Sequence, residues 1–389
     1  MMLAPCKRFV KYWLFATLAA LAGIAAFNVL IDPRGAYPAL HLRSFEPLRY
    51  LSYDRVHKAE MARRGGWETI ILGSSRSRAG LPAAHPLLLT NQTCNLSLDA
   101  ARFRELVMAF DYARQHNRLK RVILCVDLYM FTHSERWVLD FQESRFNPDF
   151  ERFPYHCKLL FGQVATAEAW AAFFRRLHGY TPPLQSQHGF LAAGMSSGRS
   201  HRDLFNKVLH QMGTVYHQQT LDGSCLELFR ELVRTCRDQY LDLQVAILPV
   251  HALDIELLYA SGRWPEFEKW KTGMVNVLAE EGVEGKVGLW DFTGYSGPTA
   301  EPVPPWGDVT TRMEYYYENS HFTPALGSLM LEAMYGTPGT NDFGVKLNRS
   351  NLAAHLAGIL QDRAAYARTN AAEIQWVQRI LSEVAAPHS

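Results

Sequence analysis

The hydrophobic and polar positions of this chain change character sharply after the first thirty-odd residues. An uncharged, almost wholly apolar run from Tyr12 to Ile31 follows Lys7, Arg8 and Lys11 and ends at Asp32, Pro33 and Arg34. At about 1.5 Å per residue, a helix of this length just crosses a ~30 Å hydrocarbon layer. Basic residues ahead of the run place that end in the cytoplasm and the rest of the chain across the membrane. A cleaved signal peptide is the competing expectation, but its apolar core should be shorter and end in small residues. Here the run continues through Phe27, Val29, Leu30 and Ile31, which favours an uncleaved anchor within residues 1–35.

Residues 36–65 carry no regular pattern and read as a tether packed on the domain. Between 66 and 345, short β-rich runs alternate with longer helical patterns. Strands are predicted at Trp67–Leu72, near Asn95–Leu98, at Arg121–Val126, Leu243–Leu248 and Lys286–Trp290. Helices are predicted around Phe103–Ala113, Cys225–Tyr240, Trp264–Glu281 and Pro324–Met334, from apolar residues at three-to-four spacing. The pattern weakens from about 132 to 215, an expected insertion with a helical piece at Ala165–Leu177. The tail, 346–389, reads as helical from Asn351, with Tyr366 and Trp376 as docking points. Strands alternating with helices predict an α/β fold, a three-layer sandwich with a mainly parallel sheet of flavodoxin-like kind. Ligands of such sheets bind beyond the carboxyl ends of the strands. Gly73-Ser74-Ser75, Asp127, His251 and Asp291 all follow a predicted strand end.

Charge narrows the partners. With 40 basic and 38 acidic residues interspersed, the net charge of +2 offers no basic face, which argues against nucleic acid. The cysteines form no disulfide framework. Cys94 and Cys125 sit in apolar stretches as small core residues. Cys225 and Cys236 fall about three turns apart on one predicted helix, roughly 16 Å, too far to bond. No pair has metal-ligand spacing, and no glycine-rich phosphate loop is present, so neither metal nor cofactor is expected.

An acyl-transfer serine needs a base to take its proton, a carboxylate to orient the base, and N–H donors for the oxyanion. Gly73-Ser74-Ser75 offers a tight turn straight after the first strand. Glu318-Asn-Ser-His321 offers a carboxylate and an imidazole from one late loop, with two intervening residues that let the carboxylate fold back on the ring. Taken alone, Gly-Ser-Ser is also a common polar turn, and Asn319 or Ser320 could simply cap the following helix.

Together these motifs resemble the first and last blocks of the SGNH (GDSL-like) hydrolases. Within that class the chain looks closest to membrane-anchored bacterial members, the DltD-like proteins of D-alanylation and the partners of polysaccharide O-acetylation. Asn95-Leu-Ser-Leu98, Trp290-Asp-Phe-Thr-Gly-Tyr295 and Tyr316-Tyr-Glu-Asn-Ser-His-Phe322 add to the resemblance, which covers Thr69 to Gly336 sparsely. It implies Ser75 as nucleophile, His321 as base and Glu318 as orienting acid. The chain departs from the family at four places. Gly-Asp-Ser is Gly73-Ser74-Ser75, and the acid of the last block is Glu318 rather than Asp. The oxyanion Asn of the third block is replaced by Asp127, which cannot donate when ionised. Asp99-Ala100-Ala101 stands where the second-block glycine would fall. The oxyanion would then rest on the Ser75 N–H, a backbone N–H near Ala100, and Asn95. His251, Asp291 and Arg76 are further candidates for substrate contact, Arg76 toward an anionic group.

The resemblance implies a single-pass inner-membrane protein whose main domain faces the periplasm or exterior. Its expected activity is that of a serine esterase or acyltransferase on acyl esters of a cell-envelope carbohydrate. Two alternatives remain open. One is a partner of a membrane-bound acyltransferase that keeps the fold without the chemistry. The other is an α/β-hydrolase built on Gly194-Met-Ser196-Ser-Gly198, with Ser196, Asp291 and His321 in that family's order, though that motif lacks the flanking strand and helix it needs.

Overall fold

A computed structural model describes residues 4–51, 55–88, 92–132, 139–180, 188–190, 198–218, 220–337, 339 and 341–385. The apolar run is one helix, α1 (Ala4–Ile31), of which Lys7–Ile31 is long and apolar enough to cross a bilayer. The segment expected to be an irregular tether instead holds a 3-10 turn (Arg43–Leu51) and a helix, α2 (Arg55–Arg64). Although α2 reads Arg-Val-His-Lys-Ala-Glu, it is buried from Arg55 to Ala62. Its charges are matched inside: Arg55 donates to Glu105 at 2.8 Å and Glu60 accepts from Arg63 and Arg145, both at 2.6 Å.

The regular part begins at β1 (Thr69–Leu72), then α3 (Ser75–Gly80), β2 (Thr93–Asn95), α4 (Phe103–His116) and β3 (Arg121–Val126). Next come α5 (Leu139–Gln142), α6 (Arg152–Phe161), α7 (Gln163–Leu177) and α8 (His201–Gln218), followed by α9 (Ser224–Asp238) and β4 (Asp242–Ile247). The chain closes with α10 (Ala252–Ala260), α11 (Trp264–Glu280), β5 (Gly288–Asp291), α12 (Pro324–Tyr335), β6 (Val345–Lys346), α13 (Leu352–Thr369) and α14 (Ala371–Ala385). The predicted insertion boundary at 215 falls inside α8. That helix is no appendage, since Phe205 and Leu209 are fully buried in the core with β4, α12 and α14.

The fold is α/β. Six strands lie in the order β2-β1-β3-β4-β5-β6; the first five are mutually parallel and β6 runs antiparallel at the edge. Side-chain alternation along the strands divides the core. Ile70, Leu72, Val122, Leu124, Val245 and Ile247 join one cluster with α4, α9 and α11, while Ile71, Ile123, Cys125 and Ala246 join another with α8, α12 and α14. Buried on both faces, the strands read as continuous apolar runs, the pattern of a parallel sheet. Cys94, Cys125, Cys225 and Cys236 are buried and free. The tail docks as expected: Trp376 is buried and donates to Asn206 at 3.0 Å, and Tyr366 meets Tyr295 with ring centroids 5.2 Å apart.

Candidate active site

β1 is followed by Gly73-Ser74, and Ser75 opens α3 at the carboxyl edge of the sheet. Gly73 is required by space rather than by a left-handed turn. It lies outside the positive-φ region, but a Cβ there would come within 2.2 Å of Ser77 Oγ and 2.7 Å of Cys125 Cβ. Ser74 caps α3, its hydroxyl accepting from the Arg76 N–H at 3.3 Å and donating to Asp127 at 3.2 Å.

The second half of the site is a tight loop before α12. Tyr316 and Phe322 form an antiparallel bridge, and the Tyr317 N–H donates to His321 O at 3.0 Å, so residues 317–321 are closed on themselves. The loop is held from outside by the His251 N–H, which donates to Asn319 O at 2.9 Å, and by His201 Nδ1 on Tyr317 O at 3.0 Å. Glu318 curls back within it. Its carboxylate contacts His321 Nδ1 and accepts from the N–H groups of Ser320 (2.8 Å) and His321 (3.0 Å), which absorbs the methylene by which it exceeds Asp. Burial pushes this carboxyl up, but His321, the Ser320 N–H and the charge of Arg76 more than offset that and hold it below the usual glutamate range. Near neutral pH it is therefore an anion facing the ring.

α3 and α12 join the two halves. They cross where both backbones lack a side chain: a Cβ on Gly327 would lie 1.8 Å from Gly80 O, and one on Gly80 would meet the Phe322 ring at 2.1 Å. This approach brings His321 Nε2 to 2.8 Å from Ser75 Oγ. Ser75 and His321 are half-buried and open to solvent, while Glu318 is buried behind them. Ser75 Oγ, the His321 ring and the Glu318 carboxylate thus stand in hydrogen-bond succession, the order that a nucleophile, a base and an orienting acid would require. Gly327→Ala should force α12 away from α3, costing about 1–3 kcal/mol of stability. It should also lower any reactivity of Ser75 by about a hundredfold, since small misplacements are that costly. Thermal unfolding and probe-labelling rate, measured together, test both effects.

Other expected site residues are committed to partners within the fold. Asn95 is not aimed at an oxyanion: its amide donates to the carbonyls of Ser77 and Leu81, both at 3.0 Å, and its oxygen accepts from the Ser97 N–H. His251 caps α10. Its Nδ1 accepts from the Leu253 N–H and its Nε2 meets Glu301 O at 2.7 Å, while burial pushes its pKa down to about 4. Asp291 is fully engaged by Lys271 (2.5 Å), His355 (2.8 Å) and Thr293 (2.7 Å), tying β5 to α11 and α13. Arg76 is buried and cannot reach out to an anionic substrate. It donates to Asp127 at 2.6 Å, and its other terminal nitrogen lies 3.8 Å from Asp254. Asp127 is thus the acceptor at the base of α3, both oxygens taken by Arg76 and Ser74. Ala100 holds a left-handed φ of 50°, a conformation that favours glycine. Ser196 lies outside the described residues, and Asp291, its proposed acid, is bonded to Lys271 and His355 rather than to His321. Among the described residues no three His, Cys, Asp or Glu side chains converge as metal ligands would.

Asp254 and Tyr216 extend this buried network, though no motif in the sequence marks them; the Tyr216 hydroxyl donates to Asp254 at 3.2 Å. Burial pushes the Asp254 carboxyl up to about 7, with Arg76 and Tyr216 opposing the shift. The unfolded chain ionises this group near pH 4. Between about pH 4 and 7 the native state therefore holds the proton more firmly, and stability falls as pH rises, by at most about 1.4 kcal/mol per pH unit. Asp254→Asn should flatten that slope, which denaturant titrations across the same range would read.

No family model, curated protein or solved structure matches the chain.

Proposed function

We propose that this chain is a membrane-anchored serine esterase or acyltransferase of the SGNH class, with a three-layer α/β domain outside the cytoplasm. The observation that carries the reading is the succession Ser75 Oγ, His321 Nε2, His321 Nδ1, Glu318, assembled from two distant segments at the carboxyl edge of a parallel sheet. The glycine-like backbone of Ala100, at the place of the second-block glycine, supports the same family. In this mechanism Ser75 Oγ attacks the acyl carbonyl carbon and passes its proton to His321 Nε2. Glu318 holds the ring in the tautomer that receives it and stabilises the imidazolium. The oxyanion takes the backbone N–H groups of Ser75 and Ala100. The tetrahedral intermediate collapses as His321 returns the proton to the leaving alcohol, and water or an acceptor hydroxyl then resolves the acyl-Ser75 ester by the reverse sequence. A cell-envelope carbohydrate as acceptor or substrate follows from the family resemblance, as does orientation toward the periplasm or exterior.

The test is ester turnover by the full chain in detergent, with p-nitrophenyl acetate as substrate. Glu318→Gln should lower kcat/KM roughly a thousandfold to ten-thousandfold while leaving the fold intact, because the amide no longer fixes the His321 tautomer. Equal rates in wild type and variant would defeat the assignment. A second reading, a non-catalytic partner of a membrane-bound acyltransferase, is favoured by one observation. Asn95 is committed to backbone carbonyls and Asp127 is an acceptor, so neither side chain supplies an oxyanion donor. That reading predicts no turnover from folded wild-type protein.

A further inference from the structure

Helix α7 is built inside out. Its buried positions are the small residues Ala165, Ala169 and Ala172. Phe173 packs inward against Phe27 and Phe45, but the large apolar residues Val164, Trp170, Phe174 and Leu177 are exposed, Leu177 at 66%, with the exposed Ala167 and Ala171 completing the stripe at helical spacing. A water-facing helix would show the opposite arrangement. The neighbouring α6 adds Phe153, 80% exposed, and Phe161. Exposed apolar residues scattered singly are ordinary, but a continuous stripe of large ones marks a contact surface.

What lies against that stripe is indicated by where the hairpin sits. α6 and α7 clamp the last turns of α1: Asn28 donates to Leu160 O at 3.0 Å and to Thr166 at 2.9 Å, and Phe27 meets the Trp170 ring at 4.7 Å. One turn further, Arg34 pairs with Glu168 through two bonds, at 2.8 and 3.1 Å. The hairpin therefore stands at the level where the apolar helix ends. Exposed Arg152, Arg175 and Arg176 flank the stripe, and a tryptophan beside arginines is the pairing found where hydrocarbon gives way to headgroups. From the inverted burial, the clamp on α1 and the flanking arginines, we infer that α6 and α7 form a shelf lying in the outer face of the same bilayer that α1 crosses. Val164, Trp170, Phe174 and Leu177 enter the acyl boundary to about 5–10 Å, as interfacial helices do, and the arginines meet lipid phosphates. This rests on the reading of α1 as a membrane span. Its consequence is mechanical: the domain is held by two adjoining attachments and cannot swing about α1.

The test uses the full chain reconstituted in phosphatidylcholine–phosphatidylglycerol vesicles, with a series of lipids brominated at different depths to quench tryptophan. Subtracting the spectra of Trp13→Phe and Trp170→Phe from wild type isolates one tryptophan on α1 and one on α7. Quenching of Trp170, strongest with bromines high on the acyl chain, is expected, together with quenching of Trp13. Phe174→Asp with Leu177→Asp, both at exposed positions, should abolish the Trp170 quenching and spare that of Trp13. If Trp13 is quenched and Trp170 is not, the anchor stands and the shelf is overturned, the stripe then being left to a protein partner in the membrane. If neither is quenched, the anchor itself fails and the shelf with it.

Discussion

Ser75→Ala is expected to eliminate acyl-enzyme formation, and His321→Ala to lower kcat/KM by roughly ten-thousand-fold or more. Both variants should unfold near the wild-type midpoint. Ser75 lies half-exposed at the start of α3, where its Oγ contacts His321 Nε2 at 2.8 Å, so its loss leaves no buried group unpaired. Removal of His321 leaves Glu318 without the ring but still bonded to the Ser320 and residue-321 N–H groups. On the proposed mechanism the serine and histidine act as one unit, so the double variant should be no slower than the worse of the two single ones. Two independent losses that multiply would instead mean that the residues belong to different processes. The readout is the initial rate on an activated ester together with circular dichroism of each variant.

Arg76→Met should have the largest effect on stability, about 3–5 kcal/mol. Its guanidinium is the only cation within 4 Å of two buried carboxylates among the described contacts, Asp127 at 2.6 Å and Asp254 at 3.8 Å. Removing one partner of a buried ion pair costs far more than the pair itself contributes, because the remaining charge has neither water nor counter-ion. Arg76→Lys should recover little, since one ammonium on a flexible stem cannot reproduce a planar fork between two acceptors. Adding Asp127→Asn to Arg76→Met should restore part of the loss, a coupling that a double-mutant cycle by denaturant unfolding would measure. Through Asp127 and Ser74 the same substitution loosens the cap of α3, so Ser75 should lose reactivity as well.

Much of the architecture was legible because a parallel sheet writes itself plainly. The apolar run Arg121–Val126 has the boundaries of β3, and amphipathic spacing places the helices at 103–116, 224–238 and 264–280 to within a few residues. Two of the helices that the sequence pattern does not show escape it for opposite reasons. α10, Ala-Leu-Asp-Ile-Glu-Leu-Leu-Tyr-Ala, is mostly apolar and buried with its two acids, Asp254 and Glu256, inside as well, so it carries no stripe to detect. α2 is rich in charge yet buried, its charges matched by Glu105 and Arg145 from distant segments, and no local pattern records such partners. The same limit applies at the site. Ser75 is marked by its turn motif and by the strand-end rule, and Glu318 and His321 by their spacing alone, but that rule also selects Asp127, Asp291 and His251, whose hydrogen bonds turn them inward. The role of Arg76 could not be inferred without knowing that Asp254 lies beside it.

The most direct test of the account is covalent labelling of the full chain in detergent with a fluorophosphonate, followed by mass spectrometric location of the adduct. The account predicts an adduct on Ser75 that disappears in Ser75→Ala and His321→Ala. An adduct on Ser196, or none on folded protein, would contradict it.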